Sequence, residues 1–196
     1  MMATATSRLA SADDLNHITT LGFRGEALAS IASVARVACL TRARDETAGT
    51  RLTVEGGSIV ERSSIGAPAG TVITVENLFY TVPARLKFLK SDVTERRQID
   101  ALISRYAMAY PAIRFNLIHN GRTTFQTTGN GSLPEALIAV YGLEVAEQML
   151  ALTSQPSLPT ANNTPPGEGE HARVSGYVSA PALSRAHRGD MTIFVN

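Results

Sequence analysis

Hydrophobic positions along this chain change period from one stretch to the next, and the changes mark out its elements. An alanine-rich stretch, 26–35, carries apolar residues at helical spacing and predicts a helix. Two β-prone runs follow at 37–42 and 50–55, joined by a charged loop, and Gly56-Gly57 signals a tight turn into a third at 58–62. Residues 70–76 alternate threonine with apolar side chains and predict a fourth strand. Together these describe a meander that ends in a helical turn at Leu78.

A longer helix is predicted at 94–110, where Ile99, Leu102, Ile103, Tyr106 and Tyr110 fall on one face. Asp92, three residues before Glu95, resembles a capping box, and Pro111 closes the far end. A hairpin follows, with Ile113, Phe115 and Leu117 alternating with polar positions, Asn120-Gly121 supplying the turn, and 122–127 returning. The Gly/Asn-rich break at 129–131 is the expected domain boundary. Beyond it, 133–141 reads as a helix stopped by Gly142, and 172–179 and 191–195 as strands. Between them 153–170 holds four of the nine prolines, and such a stretch is expected to be a loop that packs no core. This mixture of helices and strands makes the expected fold class α/β, in its α+β form.

Composition narrows the function more than the fold. With 44% hydrophobic residues over 196 positions the chain can bury a core. A formal charge of +1 excludes a uniformly basic nucleic-acid binder, so any contact with DNA must come from a local patch. The single cysteine, Cys39, lies in an apolar run and is expected to be a small buried hydrophobe, and the four histidines show no paired ligand spacing, so no metal site is expected. No window approaches the roughly 18 apolar residues of a membrane span, and residues 1–16 show no basic segment followed by an apolar core. The expected location is therefore the cytoplasm.

Candidate chemistry concentrates in one string. Residues 22–28 read Gly-Phe-Arg-Gly-Glu-Ala-Leu, two glycines around an arginine running into the first predicted helix. Glycines let backbone N–H groups approach an anion, and a helix N-terminus aims partial positive charge at the same point. On spacing alone such a loop also serves merely to start a helix close to its neighbour. A second feature is a local excess of charge, in which Arg85, Lys87, Lys90, Arg96, Arg97 and Arg105 face three acids, Asp92, Glu95 and Asp100. It fits phosphate neutralisation, and it equally fits a solvated helix face. Arg185, His187 and Arg188 form a smaller basic cluster.

The wider sequence removes some of that ambiguity. Ala5-Thr6-Ser7-Arg8, the run 21–31, Gly70-Thr71, the run 77–85 (Asn-Leu-Phe-Tyr-Thr-Val-Pro-Ala-Arg), Lys87-Phe88-Leu89 and the closing Phe194-Val195-Asn196 resemble the MutL family of DNA mismatch repair proteins. The resemblance implies part of a GHKL ATPase sandwich with a mixed sheet over 1–130, followed over 131–196 by the start of a domain like the second domain of ribosomal protein S5. It also implies that Thr6, Ser7, Leu21, Gly22, Phe23, Arg24 and Gly25 contact ATP phosphates, and that Gly70 and Thr71 help to read adenine.

Residues 1–16 would belong to the lid over the nucleotide, without a fixed position. Phe79, Tyr80, Phe88 and Leu89 would be core. Arg8 replaces the family's usual lysine, while Thr81 and Val82 replace its asparagine and threonine and put the roles of those side chains in doubt. Arg85, Lys87, Lys90, Arg96, Arg97, Arg185 and Arg188 become the DNA-binding candidates. By the family pattern, the catalytic glutamate, the magnesium-holding asparagine and the adenine-reading aspartate would lie before position 1, and a phosphate-reaching lysine beyond 196. The expectation is accordingly an internal stretch of a longer protein that does not hydrolyse ATP by itself. ATP and Mg2+ as cofactors, and DNA, MutS and a second copy as partners, are what the resemblance implies for the parent. A non-catalytic binding module and a truncated product without function remain alternatives.

Overall fold

A computed structural model describes residues 25–154, 174–183 and 191–195. The expectations for residues 1–16, for the proline-rich loop from 155 on, and for Arg185 and Arg188 lie outside the described residues. The chain divides into two compact units, Met1–Lys90 and Ser91–Asn196.

The first unit is a helix on an antiparallel sheet. Helix α1 (Ala27–Val34) is followed by β1 (Arg36–Arg42), β2 (Gly49–Glu55), β3 (Ser58–Ile65), β4 (Gly70–Glu76) and a single helical turn, α2 (Pro83–Leu86). Gly56 and Gly57, at φ 55° and 84°, form the predicted turn between β2 and β3. The sheet order is β3-β2-β1-β4. The expected meander holds for three strands only, because β4 returns along the free side of β1, pairing Val37 with Val75 and Thr41 with Thr71. All the ladders are antiparallel. Small residues let α1 lie close to the sheet, and the buried core is Ala32, Ala35, Val37 and Val54, with Ile31 and Leu52 packed against it.

Three expectations about burial and turn shape give way here. Tyr80, Phe88 and Leu89 are exposed, Phe88 by 79%, and the one-turn helix they flank buries none of its own residues. Cys39 is half-buried rather than enclosed. In place of a helical turn at Leu78 there is a tight loop with Asn77 at φ 53° and Phe79 at φ 67°. A left-handed residue on either side of Leu78 rules out helical winding there.

In the second unit α3 (Asp92–Ala109) leads into the hairpin β5 (Asn116–His119) and β6 (Arg122–Gln126). Then come α4 (Leu133–Tyr141), α5 (Leu143–Ala146), β7 (Met149–Thr153) and β8 (Ser175–Ser179), with a 3-10 turn at Pro181–Leu183. The cap of α3 is Ser91, whose hydroxyl accepts from the Thr94 amide, so Asp92 and Glu95 occupy the first turn instead of forming the expected box. Carboxylates there still complement the helix dipole. Asn120 and Gly121 make the predicted hairpin turn at φ 50° and 75°.

The buried residues of α3 are Ala107 and Met108, and those of α4, which contacts it, are Ala136 and Leu137. Of the face predicted for α3, Ile99, Leu102 and Tyr110 are exposed and Ile103 and Tyr106 half-buried, so the buried side of the helix lies at Ala107 and Met108 instead. The strand expected at 191–195 is absent: these residues are exposed and pair with no strand among the described residues. The partner of β8 is β7, a strand not predicted from the sequence, where Leu150 faces Val178 and Leu152 faces Gly176.

Candidate nucleotide and nucleic-acid sites

Gly25 sits at φ 65°, a conformation that suits glycine, and opens α1. Glu26 is the N-cap, and its carboxylate makes no capping bond. The first bond of the helix runs from the Ser30 amide to the Glu26 carbonyl at 2.9 Å, so the amides of Ala27, Leu28 and Ala29 precede the helical ladder. Residues 25–30 are all exposed. An anion with several acceptor atoms fits such amides at the positive end of a helix, with the Glu26 carboxylate as the one nearby acid in sequence. Thr6, Ser7, Leu21, Gly22, Phe23 and Arg24, the other expected phosphate contacts, lie outside the described residues.

Gly70 and Thr71 start β4 opposite Arg42 and Thr41. The Thr71 hydroxyl is 2.8 Å from that of Thr41, each able to donate or accept, so Thr41 fixes how the Thr71 hydroxyl can turn. Arg42 secures the approach to this pair. Its Nε donates to the Ala67 carbonyl and its Nη1 to the Glu46 carbonyl, both at 2.6 Å, joining the loop before β4 to the loop after β1. Sequence reasoning missed Thr41 and Arg42, because only the antiparallel register brings them opposite Gly70-Thr71.

The trailing end of α1 is held by two loops. Its last carbonyls need partners, as at any helix C-terminus. Ala32 accepts from the Gly57 amide at 2.8 Å and Val34 from the Phe79 amide at 2.7 Å, while Ser33 accepts from the Thr81 hydroxyl at 3.3 Å. Thr81, whose role was in doubt, is thus bonded to the helix. Close to this loop Arg36, Asn77, Leu78, Tyr80 and Leu86 line a shallow cavity of about 260 Å³.

Of the basic candidates, Arg85, Lys87 and Lys90 are exposed on the first unit; on the second, Arg97 is exposed on α3 and Arg96 half-buried. Among the described residues no grouping of three or more His, Cys, Asp or Glu side chains could hold a metal ion. No described helix is long and apolar enough to cross a membrane. In the second unit His119 Nε2 and Asp100 Oδ1, 2.8 Å apart, tie the hairpin to α3.

Comparison with known proteins gives a consistent set of relatives. The chain is 43% identical over 192 residues to the DNA mismatch repair protein MutL of Pelotomaculum thermopropionicum, covering 98% of this chain and 30% of that protein. It is 42% identical over 192 residues to MutL of Streptococcus thermophilus, covering 98% of this chain and 28% of that protein. The chain therefore spans under a third of the length of these relatives. No family model matches. Among solved structures, the Aquifex aeolicus MutL ATPase domain complexed with ADP superposes with a TM-score of 0.61 at 33% identity, covering 74% of this chain and 55% of that one. A second structure of the Aquifex aeolicus ATPase domain gives a TM-score of 0.56 at 28% identity, over 75% of this chain and 53% of that one.

Proposed function

Because the chain belongs to the MutL family of DNA mismatch repair proteins, we propose that it carries the phosphate-gripping part of an adenine-nucleotide switch that works on DNA. The observation that carries this reading is the start of α1, where a left-handed Gly25 opens a helix whose first amides are exposed, within the Gly-Phe-Arg-Gly-Glu-Ala-Leu string. The ADP complex of a structural relative supports the same ligand class.

On this reading the amides at Gly25 and the head of α1, with Thr6, Ser7, Leu21, Gly22, Phe23 and Arg24, grip phosphate oxygens, and Gly70 and Thr71 serve the adenine end. A nucleotide fits what is described, since one end offers helix N-terminal amides that bond to no described residue and the other an oriented hydroxyl. Magnesium has no fitting group of side chains among the described residues and belongs to the reading of the longer relatives only. In the parent protein, binding of ATP would drive dimerisation through this region, and DNA contact by Arg85, Lys87, Lys90, Arg96, Arg97, Arg185 and Arg188 would join mismatch recognition by MutS to downstream repair in the cytoplasm. Residues 1–130 would be the ATPase part and 131–196 the beginning of the S5-like domain, an assignment by descent that differs from the packing division after Lys90.

The test is calorimetric titration of the chain with ADP. The expected result is saturable binding that Gly25→Asp weakens about tenfold or more, since a left-handed residue other than glycine costs about 1–2 kcal/mol and its carboxylate repels phosphate. No binding, or equal binding by the two proteins, refutes the nucleotide reading.

A further inference from the structure

We propose that the loop from Asn77 to Thr81 is the rear clamp of α1 and sets the position of the glycine turn at Gly25, with Asn77 and Thr81 as positioning residues. The inference rests on the nucleotide reading for its functional consequence but not for its structural content.

Helix α1 has eight residues and so is about 12 Å long, with Gly25 at its head. A body this short has two turns and no room to bend, so fixing its tail fixes its head. Three successive carbonyls at that tail, those of Ala32, Ser33 and Val34, accept hydrogen bonds from residues remote in sequence, and two of the three donors, the Phe79 amide and the Thr81 hydroxyl, come from this loop. The bond from Phe79 to Val34 is 2.7 Å, shorter than the commonest amide–carbonyl spacing.

The conformation that aims these donors is unusual. Asn77 and Phe79 both hold positive φ, 53° and 67°, without being glycine. Asparagine tolerates this backbone, whereas a phenylalanine enters it only when its surroundings demand it. Within the loop the Tyr80 amide donates to the Asn77 carbonyl at 3.1 Å and the Val82 amide to the Phe79 carbonyl at 2.9 Å, so each left-handed residue is locked by a turn of its own. The clamp is strained and doubly braced, and what it holds is the tail of the helix that opens at Gly25. A shift of the loop therefore moves the head of α1, and a shift at the head loads the loop.

The experiment uses backbone amide resonances of the full chain together with ADP titration. Asn77→Val puts a β-branched residue where φ is positive, and Asn77→Gly keeps that backbone accessible. Thr81→Val removes the hydroxyl, and Thr81→Ser keeps it. The two valine variants are expected to shift the Gly25 and Ala27 resonances, to speed amide exchange at Phe79 and to weaken ADP binding about tenfold, while the glycine and serine variants retain the parent values. The Arg62 and Ser64 resonances of β3, in the same unit as the loop, report that this unit is still folded.

Valine variants with unmoved Gly25 and Ala27 resonances overturn the clamp, whatever the nucleotide result. Shifted resonances with undiminished ADP binding overturn the positioning role. If the unaltered chain binds no ADP, the nucleotide reading fails, and the clamp is decided by the resonances alone.

Discussion

Gly129 offers a sharp measurement of how the second unit is held together. It lies at φ 72°, and a Cβ there would sit 2.6 Å from the Arg114 amide nitrogen, 2.9 Å from its Cα and 2.8 Å from its Cβ. None of these atoms is the far end of a flexible side chain, so Gly129→Ala has to move backbone. The left-handed conformation costs an alanine about 1–2 kcal/mol, and pushing a packed segment aside adds about 1–3 kcal/mol. The total, about 2–5 kcal/mol, is a large share of the stability of an ordinary domain, about 5–15 kcal/mol. Gly131→Ala is the internal control, since Gly131 has φ 85° with nothing within 4 Å of the added methyl. It carries only the conformational term of about 1–2 kcal/mol. Urea unfolding followed by tyrosine fluorescence reads this unit well, because Tyr106 and Tyr110 stack there with ring centroids 6.2 Å apart. Two alanine variants agreeing within about 0.5 kcal/mol would show that the 129–131 turn is not pressed against Arg114 and would refute the reasoning.

Two further outcomes follow from the same geometry. Thr127 is the one buried polar residue among the described residues of the second unit; its hydroxyl accepts from the Phe115 amide at 2.9 Å and donates to the Ile113 carbonyl at 3.3 Å. Thr127→Val therefore strands two backbone groups and should destabilise by about 1–3 kcal/mol, with Thr127→Ser losing less; equal urea midpoints for the two variants would contradict this. Reversing Arg96 and Arg97 to glutamate should flatten the salt dependence of duplex DNA binding by about 0.9 in log–log slope for each phosphate that is no longer neutralised. An unchanged slope in fluorescence anisotropy would mean that these arginines are only a solvated helix face.

Much of the fold was legible wherever the determinant is local. Asn120-Gly121 and Gly56-Gly57 announced their turns because few residues accept left-handed backbone, and that requirement is met by the two residues themselves. The strand at 70–76 was legible from its alternation, but its neighbour was not, because pairing with β1 depends on a register set across the sheet. Periodicity found α3 but misplaced its buried face, since Ala107 and Met108 are buried while Ile99, Leu102 and Tyr110 are exposed. At the candidate site the glycine turn before α1 was readable from its string, and Gly25 adopts the expected backbone. Phe79 was not readable: its left-handed conformation runs against its own propensity and is imposed by the turn around it and the carbonyl of Val34. Arg42 escaped for a related reason, since the Ala67 and Glu46 carbonyls it binds are brought to it by loops.

The placement of β4 also has a colloidal consequence. Among the described residues this strand bonds to β1 on one side only, and Val72, Ile73 and Val75 are 58%, 44% and 43% exposed, so neither face of the ribbon is shielded. From Thr71 to Val75 it carries no proline, no lysine and no charge, the devices that usually keep an open strand from recruiting another. Self-association in concentrated solution should therefore begin at this strand, and a single Thr74→Lys should delay it more than any charge added on α3. Light scattering at rising protein concentration would decide the matter, and equal onset for the two substitutions would place the sticky surface elsewhere. If Thr74→Lys delays onset more, five consecutive residues would weigh more on solubility than the overall composition does.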